Sequence, residues 1–173
     1  MAANNWASIT AVRMSHQAYR PYGDLVSADE TLPFKFANNG TAKRFNHLSD
    51  VNNLRPGKAS LNLCVFRCTP LPQLPLEIKL LEKHQHSTQV FIPMTDEGRF
   101  LTIVCLGEDE PDLSSLAVFL TEGAQGVSYR PGVWHYPMTA LEKQIDFSCL
   151  VWEDGTADDC KIVTLAQPIL VTV

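Results

Sequence analysis

The sequence predicts a mainly β protein, an antiparallel sandwich or barrel that carries a few short helices. Three observations support this prediction. Short stretches of strand character recur along the chain, turn signals rich in glycine and proline separate them, and only one or two stretches look helical. The sequence contains no repeat, no low-complexity tract and no domain linker, so we expect residues 1–173 to form a single domain.

The amino-terminal third is predicted to contain one short helix followed by extended pieces. The helix covers residues 15–23, where Ser15 can cap it and Pro21 with Gly23 should end it. The further predictions are a strand at 24–26, a polar loop at 27–35, an Asn-Asn-Gly turn at 38–40 and a strand or loop at 44–48.

The rest of the chain is predicted to form short strands and one clear helix. That helix runs from Pro111 to Leu120, because Asp112 can cap it and the leucines at 113, 116 and 120 share one face. Three prolines between residues 70 and 75 predict an extended connection. Strands are predicted at 60–68, 76–82, 89–94, 100–106, 126–129, 134–137, 146–153 and 161–165, with a turn at 95–98.

Composition and charge exclude several classes of function. Hydrophobic residues make up 45% and charged residues 19%, which is ordinary for a globular protein that buries a core. The net charge of −5 provides no basic surface for nucleic acid. No apolar run approaches the roughly 18 residues that cross a bilayer, and the start of the chain lacks a secretory-signal pattern. We therefore expect no nucleic-acid or membrane partner.

The five cysteines are an odd number without Cys-x-x-Cys spacing, which argues against a disulfide framework or a structural zinc site. Cys64, Cys105 and Cys149 lie in apolar runs and are expected to be core residues. This cysteine usage favours a reducing compartment, so the predicted location is cytoplasmic.

Residues 82–93 and 123–137 contain three of the five histidines and hold the candidate chemistry. Glu82 and His84 are two positions apart, so on a strand their side chains lie on the same face. If that face points into a barrel, a carboxylate and an imidazole meet in a half-apolar pocket.

Two further residues can reach the same interior. Gln89 opens the next predicted strand, and His135 follows a tight Pro131-Gly132 turn that can bend the chain back toward the first segment. A carboxylate, two imidazoles and an amide oxygen are a set that can hold a divalent cation with open positions for a substrate.

A simpler interpretation of the same residues stays open. Charged residues mostly face water, so Glu82 and His84 on a strand edge can be a solvated surface pair. His135, beside Trp134, can be a core histidine whose hydrogen bonds are satisfied, and Arg130 can be a surface charge.

The two segments have the layout of the cupin motifs. The first cupin motif normally reads His-x-His, three or four residues, then Glu, and here Glu82, His84 and Gln89 stand at those three positions. The second motif normally ends Gly-x-x-His, which Gly132 and His135 match. This resemblance implies a cupin-type antiparallel β-barrel of jelly-roll-like form.

A more specific resemblance is to the ureidoglycolate lyase family, formerly called ureidoglycolate hydrolases. It extends from about residue 18 to residue 153, and residues 62–68 resemble the fungal members in particular. The matching motifs are Phe36 to Gly40, Arg44 to Leu48, Leu81 to His84, Ser87 to Gln89, Phe91 to Met94, Pro111 to Ser114, Gln125 to Val127, Val133 to His135 and Asp146-Phe147.

The resemblance implies an amidine-lyase that cleaves the C–N bond of (S)-ureidoglycolate and yields glyoxylate and urea, the last step in recovering nitrogen from allantoin during purine degradation. Such a site needs a base for the substrate hydroxyl, a proton for the leaving urea nitrogen and an anchor for the carboxylate. No redox cofactor is required, because the products together keep the oxidation level of the substrate. A divalent metal is possible.

The resemblance, combined with these chemical demands, suggests a role for each candidate residue. Glu82 or His84 takes the hydroxyl proton, and His135 protonates the leaving nitrogen or, with Glu82, His84 and Gln89, holds a metal. The predicted substrate contacts are Arg44 and Arg67 on the carboxylate, Asn38, Gln89 and Tyr129 on the urea amide, and Phe91 and Trp134 as apolar walls.

Two other functions fit the same fold. One is a non-haem iron dioxygenase with His84, His135 and Glu82 as a facial triad, and the other is a non-catalytic cupin that binds a small acid or another protein. Cupin barrels often pair through edge strands, so we also expect a homodimer.

Overall fold

The computed structural model describes residues 7–173, which form two facing β-sheets and a separate hairpin. Residues 1–6, which contributed to the prediction that the chain has no secretory signal, lie outside the described residues. The strands are β1 Ser8–Thr10, β2 Val12–Arg13, β3 Leu25–Val26, β4 Phe34–Ala37, β5 Ala42–Phe45, β6 Ser60–Cys68, β7 Leu76–Lys83, β8 Gln89–Pro93, β9 Arg99–Leu106, β10 Asp112–Glu122, β11 Gly126–Tyr129, β12 Trp134–His135, β13 Thr139–Ala140, β14 Ile145–Glu153 and β15 Lys161–Thr172.

The larger sheet has the order β1-β15-β7-β12-β9-β10-β2, with β13 also paired to β9. The smaller sheet has the order β3-β11-β8-β14-β6, and β4 pairs with β5. Only the pairs β1–β15 and β2–β10, at the two ends of the larger sheet, are parallel among these described strands. Adjacent long strands are antiparallel throughout, as the sequence predicted.

The main hydrophobic core lies between the two sheets. Phe100 and Val104 of the larger sheet meet Phe91 and Phe147 of the smaller sheet there. Alternate residues of β9, such as Ile103, point to a second apolar cluster on the other side of the larger sheet. The central strand β9 of the larger sheet is therefore buried on both faces. The prediction of a mainly β, barrel-like fold is confirmed.

The helix predicted for residues 111–120 is wrong, because this segment forms strand β10. Its carboxyl-terminal half alternates, with Val118 in the outer apolar cluster and Phe119 in the core between the sheets. The carboxylate of Asp112 accepts hydrogen bonds from the amide and hydroxyl of Ser114, at 3.0 and 2.7 Å, and so forms a turn rather than a helix cap. The leucine spacing was compatible with either structure, and pairing with β9 selects the strand.

The other predicted helix is confirmed in shortened form. It spans His16–Tyr19, and the hydroxyl of Ser15 accepts a hydrogen bond from the amide of Ala18 at 3.2 Å. Two 3-10 turns occur at Asn38–Gly40, where the sequence predicted a turn, and at Ala157–Asp159. None of the helices within residues 7–173 has the length and apolar character of a membrane-spanning segment.

Candidate active site

Glu82 and His135 lie opposite each other on neighbouring antiparallel strands, β7 and β12. His135 Nε2 is 3.6 Å from Glu82 Oε1. On its other side His135 is level with Val104 of β9, whose side chain belongs to the core between the sheets. The period of two along each strand therefore places the carboxylate and the imidazole on the inner face of the barrel, as the sequence predicted.

His84 follows β7 directly and completes a three-residue cluster. One possible ligand atom from each of Glu82, His84 and His135 lies within 4.8 Å of the other two. The imidazoles of His84 and His135 are nearly parallel, with ring centroids 5.7 Å apart. The predicted turn before His135 supports this approach, because the Gly132 amide donates to the His84 carbonyl at 2.9 Å.

Two backbone carbonyls orient the imidazoles. His84 Nδ1 is 2.8 Å from the Asp159 carbonyl oxygen, and His135 Nδ1 is 3.0 Å from the Val133 carbonyl oxygen. A carbonyl can only accept, so each Nδ1 carries the proton and each Nε2 keeps a lone pair. Both histidines thus present a basic nitrogen to the cluster.

Burial favours the uncharged forms of all three side chains in the cluster. Burial, and then the neighbouring His84, lower the pKa of His135 to about 3. Burial also lowers the pKa of His84 and raises the pKa of Glu82. Near neutral pH both imidazoles are unprotonated, while the carboxyl group binds a proton more readily than it would in water.

Buried groups from the smaller sheet close one side of the cluster. The Tyr129 ring stacks on His135 with centroids 4.2 Å apart and an angle of 6° between the planes. The Phe91 ring contacts Tyr129 edge-on, at 6.1 Å between centroids. Gln89 Oε1, the Tyr129 hydroxyl and His135 Nε2 are buried and have no hydrogen-bond partner among residues 7–173. Unsatisfied buried polar atoms of this kind are expected where a ligand binds.

The donor set matches what a divalent transition metal requires. Glu82 supplies a carboxylate, and His84 and His135 supply Nε2 lone pairs whose rings are fixed by hydrogen bonds from Nδ1 to carbonyls. Gln89 is level with Tyr129 on the neighbouring strand β8, and its Oε1 has no hydrogen-bond partner within the part of the chain that the structure describes. The residues present therefore fit the metal that the sequence suggested.

Trp134 is not in the cluster, contrary to the prediction that it forms a wall of the pocket. It precedes His135 on the same strand and so points to the opposite face, where it packs with Leu81 and Cys105. The Lys83 ammonium lies 4.7 Å above its ring. The stacked aromatic ring that the site does contain is that of Tyr129.

The predicted carboxylate clamp also does not come to the cluster. Arg67 lies on the outer face of β6, where its guanidinium donates twice to Asp146, at 3.0 and 2.8 Å. Asn38 and Arg44 lie on the exposed hairpin formed by β4 and β5. Arg44 lines a surface groove there with aromatic and polar residues of the same hairpin.

The sequence did not reveal two groups near the cluster. One is the Asp159 carbonyl, which orients His84, and the other is Cys160, whose Sγ is 4.0 Å from Glu82 Oε2. A backbone carbonyl has no sequence signature, since every residue carries one. The turn-rich acidic segment 154–159 was the available signal, because such segments form tight loops that can cover a site.

A double-sheet barrel with a carboxylate and two neutral imidazoles on its inner face defines a cupin-type barrel protein with a small polar site. Comparison with known proteins gives the particular family. The sequence model described as ureidoglycolate lyase matches residues 6–172, nearly the whole chain. The chain belongs to the ureidoglycolate lyase family, as the motifs predicted.

Curated relatives agree with this assignment. Ureidoglycolate lyase of Escherichia coli O9:H4 (strain HS) is 37% identical over 154 residues, covering 89% of this chain and 92% of the relative. The Shigella flexneri protein of the same name gives the same values. Among solved structures, a dTDP sugar isomerase from Desulfovibrio desulfuricans G20 matches with a TM-score of 0.45 and 14% identity, covering 84% of each chain. RmlC from Streptococcus suis matches with a TM-score of 0.44 and 16% identity, covering 89% of this chain and 75% of that one.

Proposed function

We propose that this chain cleaves ureidoglycolate into glyoxylate and urea at the cluster of Glu82, His84 and His135. The observation that carries the proposal is the half-buried carboxylate of Glu82, 3.6 Å from the Nε2 of the buried His135, inside a chain that belongs to this family. The reaction needs a group that removes the hydroxyl proton and a group that returns a proton to the leaving nitrogen. The half-buried carboxyl group of Glu82, whose pKa is raised by desolvation, suits both tasks.

Glu82 performs both proton transfers in this mechanism. Its carboxylate takes the hydroxyl proton of the substrate, and the C–O bond becomes the carbonyl of glyoxylate. The electron pair of the breaking C–N bond moves to the ureido nitrogen, which takes the proton back from the carboxyl group of Glu82. The products are glyoxylate and urea, and Glu82 is again a carboxylate.

His135 has a different role from the proton donor that the sequence suggested. With a pKa of about 3 and its proton on Nδ1, it has no proton to give from Nε2 near neutral pH. Its unpartnered Nε2 is instead suited to accept a hydrogen bond from the substrate. His84 Nε2 is an acceptor for the same reason.

Glu82, His84, His135 and Gln89 are the residues that would hold a divalent cation. Such an ion would lower the pKa of the substrate hydroxyl and bind the carboxylate. Gln89 Oε1 is suited to accept a hydrogen bond from the urea amide, and the Tyr129 hydroxyl can donate one to an oxygen of the substrate. Phe91 contributes an apolar wall that helps to exclude water.

The test is turnover of ureidoglycolate by the purified protein. We expect urea and glyoxylate in equal amounts, with no ammonia and no oxygen consumed. Ammonia in place of urea would indicate an amidohydrolase, and oxygen consumption with bound iron would indicate a dioxygenase. Binding of the substrate without turnover would indicate a non-catalytic protein. An Arg99→Met variant is a suitable positive control, because Arg99 forms an exposed ion pair with Glu142 and lies away from both the cluster and β6.

The predicted homodimer has a suitable surface on β6. This nine-residue strand is the edge of the smaller sheet, and Leu61, Leu63 and Val65 on its outer face are 46%, 68% and 58% exposed. An exposed, apolar edge strand favours pairing with another chain. We propose that a second copy covers β6, while the cytoplasmic location and the likeness to fungal members stay predictions.

A further inference from the structure

Two loops meet beside His84, and Arg55 joins them. One loop spans residues 49–58 and the other spans residues 154–160. Arg55 Nη1 donates to Asp154 Oδ2 at 2.7 Å, and its Nη2 donates to Asp159 Oδ1. The three side chains are only 12 to 15% exposed. A single, largely buried guanidinium thus holds two carboxylates that would otherwise repel each other.

Asp159 connects this ion pair to the candidate site. Its carboxylate accepts hydrogen bonds from Arg55 and from the amides of Asp154 and Gly155, at 3.0 and 2.7 Å. Its backbone carbonyl accepts a hydrogen bond from His84 Nδ1 at 2.8 Å. The residue that orients the imidazole is therefore fixed through its own side chain.

Both loops also contact the segment that carries His84, which connects β7 to β8. Leu54 precedes Arg55 in the sequence, and its amide donates a hydrogen bond to the His86 carbonyl at 2.8 Å. In the same loop the Asn52 carbonyl accepts a hydrogen bond from the amide of Thr88 at 3.1 Å. Both loops are thus tied to the β7–β8 connection, and Arg55 is the charged link between them.

We propose that Arg55 is a positioning residue for the active site, which holds the Asp159 carbonyl where it keeps the His84 proton on Nδ1. His84 Nε2 then stays free to face Glu82 and His135. The effect on catalysis rests on the proposed lyase function, whereas the effect on the His84 proton does not. Without the guanidinium, two neighbouring carboxylates would lose their cation and the loop at 154–160 would move away from His84.

The test measures the imidazole tautomer and turnover in the same variants. Long-range proton–nitrogen NMR spectra of the full chain with 15N-labelled histidine would be recorded for the wild type, Arg55→Met and Arg55→Lys. Arg99→Met is the matched control, because Arg99 also makes two hydrogen bonds to a carboxylate, that of Glu142, but lies five residues along β9 from Val104, which is level with His135. A His84→Gln variant would assign the signals.

We expect the wild type and Arg99→Met to show His84 protonated at Nδ1. In Arg55→Met the two ring nitrogens should shift toward averaged values, and kcat should fall about 10- to 100-fold with a smaller change in KM. Arg55→Lys keeps the positive charge but loses the paired N–H donors of the guanidinium, so it should give intermediate spectra and activity.

Unchanged His84 signals in a folded Arg55→Met variant would overturn the proposal, whatever happens to its melting temperature. If that variant does not fold, Arg55→Lys decides, and a wild-type His84 spectrum in it would equally overturn the proposal. Lack of ureidoglycolate turnover by the wild type would refute the proposed function while leaving the tautomer result intact. The two failures are therefore separable.

Discussion

The low pKa of His135 makes a strong prediction about stability against acid. The unfolded chain binds a proton at this imidazole near its ordinary pKa of 6.5, whereas the folded protein binds it only near pH 3. Between these values the unfolded state holds more protons, so lowering the pH destabilises the fold. Stability contributed by the neutral imidazole is complete above pH 6.5 and is lost as the pH falls toward 3.

The magnitude follows from the two pKa values. Each pH unit below 6.5 costs about 1.4 kcal/mol, so lowering the pH from 7 to 5 removes about 2 kcal/mol of the free energy of unfolding. The lowered pKa of His84 acts in the same direction, and the raised pKa of Glu82 acts in the opposite direction. A variant that lacks only the His135 titration separates these contributions.

His135→Asn is that variant, since the amide cannot titrate but can still donate to the Val133 carbonyl. Urea unfolding of chelator-treated protein at pH 7 and pH 5 gives the free energy of unfolding under each condition. We expect the wild type to lose about 2 kcal/mol more than His135→Asn over this range. Losses that agree within about 0.5 kcal/mol would show that His135 is not buried as a neutral base, and would refute the reasoning.

Three further predictions follow from the structure. Glu82→Gln should lower kcat by about 10²- to 10⁴-fold in a urea-release assay without loss of folded structure by circular dichroism, and full activity would remove Glu82 as the base. Gly23→Ala should cost about 1–3 kcal/mol or more by urea unfolding, because its Cβ would lie 1.7 Å from the Ser128 carbonyl oxygen, and an unchanged midpoint would contradict this packing. Leu63→Lys should yield monomers in sedimentation analysis if a second copy covers β6, whereas an unchanged dimer would place the interface elsewhere.

The core of the site could be predicted because it depends on strand period and on one turn. Glu82 and His84 are two positions apart near the end of a strand, and the Pro131-Gly132 turn returns the chain so that His135 faces them. These are local properties of the sequence, and the pairing of β7 with β12 turns them into a cluster.

The predictions that were wrong or incomplete concern features that depend on strand pairing and on backbone groups. The leucines of residues 111–120 fit a helix as well as a strand, and only the neighbouring β9 decides between them. Arg67 carries the charge that a substrate carboxylate needs, but its strand turns it outward to Asp146. The backbone carbonyl of Asp159 orients His84, and because every residue has such a carbonyl, the sequence could not identify this one.

Strand β12 contains only two residues, so the length of the turn before it determines which side chain faces the inside of the barrel. Trp134 and His135 are the whole strand, and they project to opposite sides of the larger sheet. Adding or removing one residue between Arg130 and Val133 would exchange the two rings, so that an indole would face the carboxylate and an imidazole would enter the apolar outer layer. In this protein the number of residues in one short turn, and not only their identity, decides which ring faces Glu82.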